Sequence, residues 1–164
     1  MEIVLFGDCD NYSKGVWTFH VKETNETYSG IVFGTTKNRM ELQSYYEALQ
    51  YLKLNNVKEL VTVYSHQTYL TEAINKGWLD KWIRQGWNRS ETKIREVKNI
   101  DLWQSILTIK QNVKLVWVKL ERATYHENLK EANRKLLGLT DEISDEQTER
   151  LLDIEQLINN EVFT

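Results

Sequence analysis

The run Thr35-Thr36-Lys37-Asn38-Arg39-Met40-Glu41-Leu42 is a Thr/Asn-rich turn followed at once by a helix that opens on an acid. That order sets one carboxylate, Glu41, and several polar groups suited to nucleic-acid contact at the mouth of a single site. Two further acids, Asp8 and Asp10, close the first apolar run and share one strand parity, so both carboxylates can face the same way. Residues 76–98 add a basic stretch. Lys76, Lys81, Arg84, Arg89, Lys93, Arg95 and Lys98 stand against Asp80, Glu91 and Glu96, with Trp78, Trp82 and Trp87 interleaved. Cations neutralise phosphates and indoles pack on sugars, so this composition suits a nucleic-acid backbone. Tryptophans at this spacing also build the core of a helical hairpin. Trp82 and Trp103 are read that way, and Trp78 is read both ways.

These groups need elements to hold them. Residues 3–8, 16–22 and 27–33 read as strands, with a hairpin turn at Asn25-Glu26. Three neighbouring strands on short links form an antiparallel meander. From Met40 the period changes: Tyr45, Ala48, Leu49 and Leu52 fall at helical spacing, ending near Asn55-Asn56. Residues 60–65 are almost continuously apolar and read as a buried strand. Helices follow over 68–75, 78–84 and 100–111, the last with Asp101 as N-cap. Residues 114–119 read as a fifth strand and 126–137 as a helix stopped by Gly138. The result is an α/β fold: a five-stranded mixed sheet, three strands antiparallel and two added through helical crossovers. Ser144-Asp145-Glu146-Gln147 has capping-box spacing. Leu151, Ile154 and Ile158 continue from it as an apolar stripe, so a helix over 144–160 either packs back on the domain or docks on a protein partner.

Bulk properties narrow the class. No apolar run reaches the ~18 residues of a membrane span, and no membrane partner is expected. The N-terminal run reads as a strand, not a signal peptide. Cys9 is the only cysteine, so there is neither an internal disulfide nor a cysteine-based zinc site. Together these predict an intracellular chain. The net charge of −3 hides an asymmetry. Residues 1–137 carry 20 basic and 16 acidic side chains, whereas 138–164 carry 1 and 8. The first span is read as the domain and the second as an acidic helical extension. A mildly basic body permits nucleic-acid binding without requiring it.

Over residues 1–137 the chain resembles ribonuclease H of type 1, the nuclease that cuts the RNA strand of an RNA–DNA hybrid. The resemblance is carried by Phe6-Gly7-Asp8, Asn38-Arg39-Met40-Glu41-Leu42, Gly77-Trp78-Leu79-Asp80-Lys81-Trp82, Gly86-Trp87, Val97-Lys98-Asn99-Ile100-Asp101-Leu102-Trp103 and Trp117-Val118-Lys119. It implies the ribonuclease H fold, hydrolysis assisted by two Mg2+ or Mn2+ ions, and Asp8 and Glu41 as metal ligands. The same register places His66 and Asn133 where the family has its other two carboxylates. It places His126 near the family's mobile loop histidine. Lys37, Asn38, Gln67, Trp78, Lys81, Arg84, Arg89 and Lys93 become the nucleic-acid contacts.

The two replacements have an electrostatic consequence. Four carboxylates let two divalent ions sit close together. Here Asp8 and Glu41 supply two negative charges, and neutral His66 and Asn133 supply none. Magnesium prefers hard oxygen ligands, and imidazole is a poor one. At most weak or single-ion binding is expected, so the nuclease chemistry is impaired or lost. The chain then binds hybrid or RNA within a larger complex. Two alternatives stay open. One is a working endonuclease with a rearranged site that uses Asp8, Asp10, Glu41 and His66. The other is a purely structural subunit.

Overall fold

Alternating side chains in the first third of the chain build the centre of the molecule. The computed structural model describes residues 1–65 and 67–113, residues 115–119 as backbone, and Asn133, Leu137 and Gly138. Strands β1 (Glu2–Cys9), β2 (Lys14–Val21) and β3 (Glu26–Phe33) pair antiparallel. Strands β4 (Val61–Ser65) and β5 (Leu115–Lys119) join in parallel, which gives the order β3-β2-β1-β4-β5. Helix α1 (Lys37–Leu54) connects β3 to β4. Helices α2 (Thr68–Asn75), α3 (Trp78–Arg84) and α4 (Ile100–Lys110) lie between β4 and β5. This is the predicted mixed sheet with its helical crossovers.

One face of the sheet packs on α1. Ile3 and Leu5 of β1 and Phe19 and Val21 of β2 meet Tyr45, Ala48, Leu49 and Leu52, which recur at one-turn spacing along the helix. Gly7 continues that face. A Cβ there would lie 2.4 Å from the Met40 carbonyl carbon and 2.5 Å from the Glu41 nitrogen. The start of α1 therefore rests on bare β1 backbone. The opposite face buries Val4, Phe6, Val16, Thr18 and His20, and Asn133 bonds to it through Thr18.

Strand bounds shift by one or two residues from the sequence reading, and two helix N-termini differ in how they are capped. Helix α1 begins at Lys37, three residues before the change in apolar period, because Thr36 caps it: Thr36 Oγ1 accepts from Arg39 N at 3.2 Å. Glu41 thus sits in the second turn and points inward, not at the opening. The N-cap of α4 is Asn99 (φ 62°), not Asp101. Asp101 instead pairs with Arg39 of α1, Nη1 to Oδ1 at 2.9 Å and Nη2 to Oδ2 at 2.6 Å. A fork-shaped guanidinium drew it away from a capping role. Gly138, read as a helix stop, is itself helical, as are Asn133 and Leu137. The remainder of the 126–137 helix and of the 138–164 extension, with its 144–160 helix, lies outside the described residues. Among those described, no helix is long and apolar enough to cross a membrane.

Candidate functional site

Three segments meet around Gly7. β1 delivers Asp8 immediately after it. α1 delivers Glu41, whose backbone abuts the glycine. The junction of β4 and α2 delivers Ser65 and Gln67. The Gln67 side-chain amide donates to the Gly7 carbonyl, and the Leu70 backbone N–H donates to Glu41 Oε1 at 3.0 Å. Glu41 therefore packs on the α1 side of β1, while alternation turns the Asp8 side chain to the opposite sheet face.

Glu41 is only 2% exposed. Burial pushes its carboxyl up to about 8, outweighing the Leu70 N–H, Lys37 one turn earlier and the Ser65 hydroxyl, all of which favour the anion. Asp8 is half-buried, and its Oδ1 accepts from Cys9 N at 2.8 Å. Asp10 is a correction. β1 ends at Cys9, so strand parity does not carry to residue 10. Its Oδ1 accepts from the amides of Tyr12 (2.8 Å) and Lys14 (2.9 Å) and shapes the β1–β2 turn. Cys9 donates its thiol towards the carbonyls of Asp10 and Thr35. Burial, then Asp10 and Asp8, raise its pKa, so it stays a protonated bystander.

Asn133 is fully buried, and its Oδ1 accepts from Thr18 Oγ1 at 2.9 Å. Thr18 pairs with Phe6 across the β1–β2 ladder, so this contact lies on the same sheet face as Asp8, two residues away. Asn133 Nδ2 has no partner among the described residues. His66 and His126 lie outside the described residues. Among those described, no three His, Cys, Asp or Glu side chains converge to hold an ion. A neutral amide, itself hydrogen-bonded, supplies none of the negative charge that a divalent pair needs.

A second region lies alongside. A cavity of about 640 Å³ is lined by Asn38, Tyr69, Trp78, Arg89, Lys98 and Asn99, among others. It brings together three predicted contacts, Asn38, Trp78 and Arg89. Trp78 is 37% exposed, with Lys76 Nζ 5.7 Å from its ring centre. Trp82 and Trp103 are buried and meet edge to face at 6.1 Å, the core role expected of them. Lys37, Lys81, Arg84 and Lys93 are exposed but do not line this cavity. Gln67 is a correction: it is 7% exposed and its amide points to Gly7, so it braces β1 and does not face outward. Tyr69 and Asn99 had no assigned contact, and Lys98 was read only as part of the basic stretch; the run Val97-Lys98-Asn99 was the sequence signal for the last two.

The architecture is that of the ribonuclease H-like fold. It superposes on the foamy viral protease-reverse transcriptase in complex with dsDNA with a TM-score of 0.60, at 19% identity, over 82% of this chain and 89% of that one. For LC9-RNase H1, a type 1 RNase H with the type 2 active-site motif, the TM-score is 0.58 at 17% identity, over 82% and 69%. The RNase H family model matches residues 2–134, and the chain belongs to the ribonuclease H family. A ribonuclease H of Chlorobium phaeobacteroides is 39% identical over 131 residues, covering 76% of this chain and 80% of its own. One from Thermoanaerobacter sp. is 33% identical over 153 residues, covering 92% and 90%.

Proposed function

We propose that this member of the family binds RNA–DNA hybrid or RNA while its nuclease chemistry is impaired or lost, and that it acts within a larger complex. The observation that carries this reading is Asn133. It replaces an expected carboxylate with a fully buried, uncharged amide bonded to Thr18. An anionic side chain there would require a compensating cation. Only Asp8 and Glu41 remain as described acids in family positions, and Glu41 is itself drawn towards its protonated form. The cavity bearing Trp78, Arg89 and Lys98 supports retained binding, since cations and an indole meet there beside the polar Asn38 and Asn99. In the working family, bound metal supplies an activated water and stabilises the leaving oxygen.

The test uses labelled RNA–DNA hybrid with excess protein in magnesium. Binding without appreciable cleavage is expected, and brisk cleavage would overturn the reading. The double change His66→Asp with Asn133→Asp should bring magnesium-dependent cleavage. The retention of Asp8 and Glu41 keeps a second reading in view: a rearranged nuclease that also uses His66 and a nitrogen-tolerant ion. Manganese separates the two, because it should restore cleavage to the rearranged enzyme and leave the binding domain inert.

A further inference from the structure

The sheet end that carries Asp8 also carries two large side chains that the core does not explain. Tyr12 is 87% exposed and Phe33 is 64% exposed. The turn beneath them is tightly held. Asp10 Oδ1 takes the amides of Tyr12 and Lys14, Ser13 adopts φ 64°, and the Ser13 carbonyl accepts from Thr35 N at 3.1 Å. Its exposed aromatic is thus presented on a pinned loop. Strand register places the other. Asp8 pairs with Val16 and Lys14 pairs with Phe33, so alternation sets Asp8, Lys14 and Phe33 on one sheet face. Beside them is a cavity of about 490 Å³, lined by Asp8, Cys9, Asp10, Tyr12, Lys14 and Leu137 among others. Its volume falls within the roughly 300–1,000 Å³ of small-ligand clefts. None of its lining residues belongs to the Trp78–Arg89 cavity.

Tyr12, an aliphatic wall, Lys14 and hydrogen-bond acceptors line this cleft, and Phe33 stands on the same sheet face outside its lining; together they suit a planar heterocycle with exocyclic donors. We propose that Tyr12 and Phe33 form a stacking subsite for an unpaired nucleobase. The domain would then prefer a hybrid that continues into a single strand over a blunt one. A base held in a duplex has both faces covered and cannot stack here. This inference rests on the nucleic-acid-binding reading above and narrows its ligand.

The experiment uses the full chain and fluorescence anisotropy. Blunt RNA–DNA hybrid is compared with the same hybrid carrying an RNA or a DNA overhang at either end, with 2-aminopurine at the first unpaired position. One overhang should bind about 5–150-fold tighter than the blunt form, the range that one base on an aromatic ring supports, and its 2-aminopurine emission should be quenched. Tyr12→Ala and Phe33→Ala should each remove most of that gain and leave blunt affinity unchanged, while Tyr12→Trp retains it. Both side chains are exposed, so folding is not at stake. Equal affinity for blunt and overhanging hybrids, or a gain that survives the double alanine variant, would overturn the inference and leave the binding reading intact. Absence of salt-sensitive binding to every substrate would overturn both.

Discussion

Asn133 and His20 show how buried polar groups on one sheet face set the character of this domain. In the proposed register Asn133 stands neutral in place of a carboxylate, and Thr18 already satisfies its oxygen. Asn133→Asp alone should therefore cost about 2–3 kcal/mol of stability at pH 7 without divalent ions. The loss should shrink as pH falls and the new acid protonates, which urea denaturation at pH 7 and pH 5 in chelator would reveal. His20 is fully buried and its Nδ1 lies 2.7 Å from Thr27 Oγ1. Burial lowers its pKa to about 4, below the 6.5 of an unfolded histidine. The fold holds the neutral ring, so its contribution is complete above pH 6.5 and is lost as pH falls towards 4. Its ceiling is about 3 kcal/mol, from 1.36 kcal/mol per pKa unit. Glu41 titrates with the opposite slope, since its folded value near 8 lies above the unfolded one. The native chain should therefore be compared with His20→Gln, from which Glu41's contribution subtracts. A stability difference that does not move between pH 7 and pH 4.5 would contradict this assignment.

Among the elements, the β1–α1 contact positions the site. Because α1 rests on the bare backbone of Gly7, a methyl group there must push the helix away. Gly7→Ala should lose about 1–3 kcal/mol through overpacking. It should also weaken any cation affinity that depends on Glu41, a second readout available from isothermal titration with manganese. The Arg39–Asp101 pair ties α1 to α4, but Asp101 is two-thirds exposed, so its worth is at most about 1 kcal/mol and falls with salt. Helix α3 and the loop after it supply the exposed cations. Replacing Lys81, Arg84 and Arg89 with Glu should weaken hybrid binding by well over tenfold at low salt and flatten the dependence of log K on log salt. Unchanged affinity would favour the structural-subunit alternative.

For the whole molecule, the distribution of charge matters more than its sum. The net of −3 combines a body of +4 with a terminal segment of −7. Fields of opposite sign on one chain compete for the same phosphates, and salt screens that competition. Removing residues 139–164 should raise hybrid affinity several-fold at 50 mM salt, with the gain fading at 300 mM. Binding that ignores the deletion at both salts would show that the acidic segment does not act on the basic body.

Much of this fold could be read along the chain. Strand alternation and the 3.6-residue period act between near neighbours, so the meander emerged within two residues of its expected bounds, and α2 and α3 at theirs. Glu41 and Asp8 stood out through motifs that resemble those of the family, and Trp82 and Trp103 through their spacing. Other features depend on contacts that span tens of residues: Gln67 folded onto Gly7, Asp101 drawn to Arg39, and Asn133 hydrogen-bonded to Thr18. Asp10 was named as a site acid through strand parity, but its carboxylate closes a turn that parity does not describe. Periodicity reports which side of an element is apolar. Which polar group finds which partner is set when the elements pack, since each hydrogen bond there competes with water and with every other donor brought within reach.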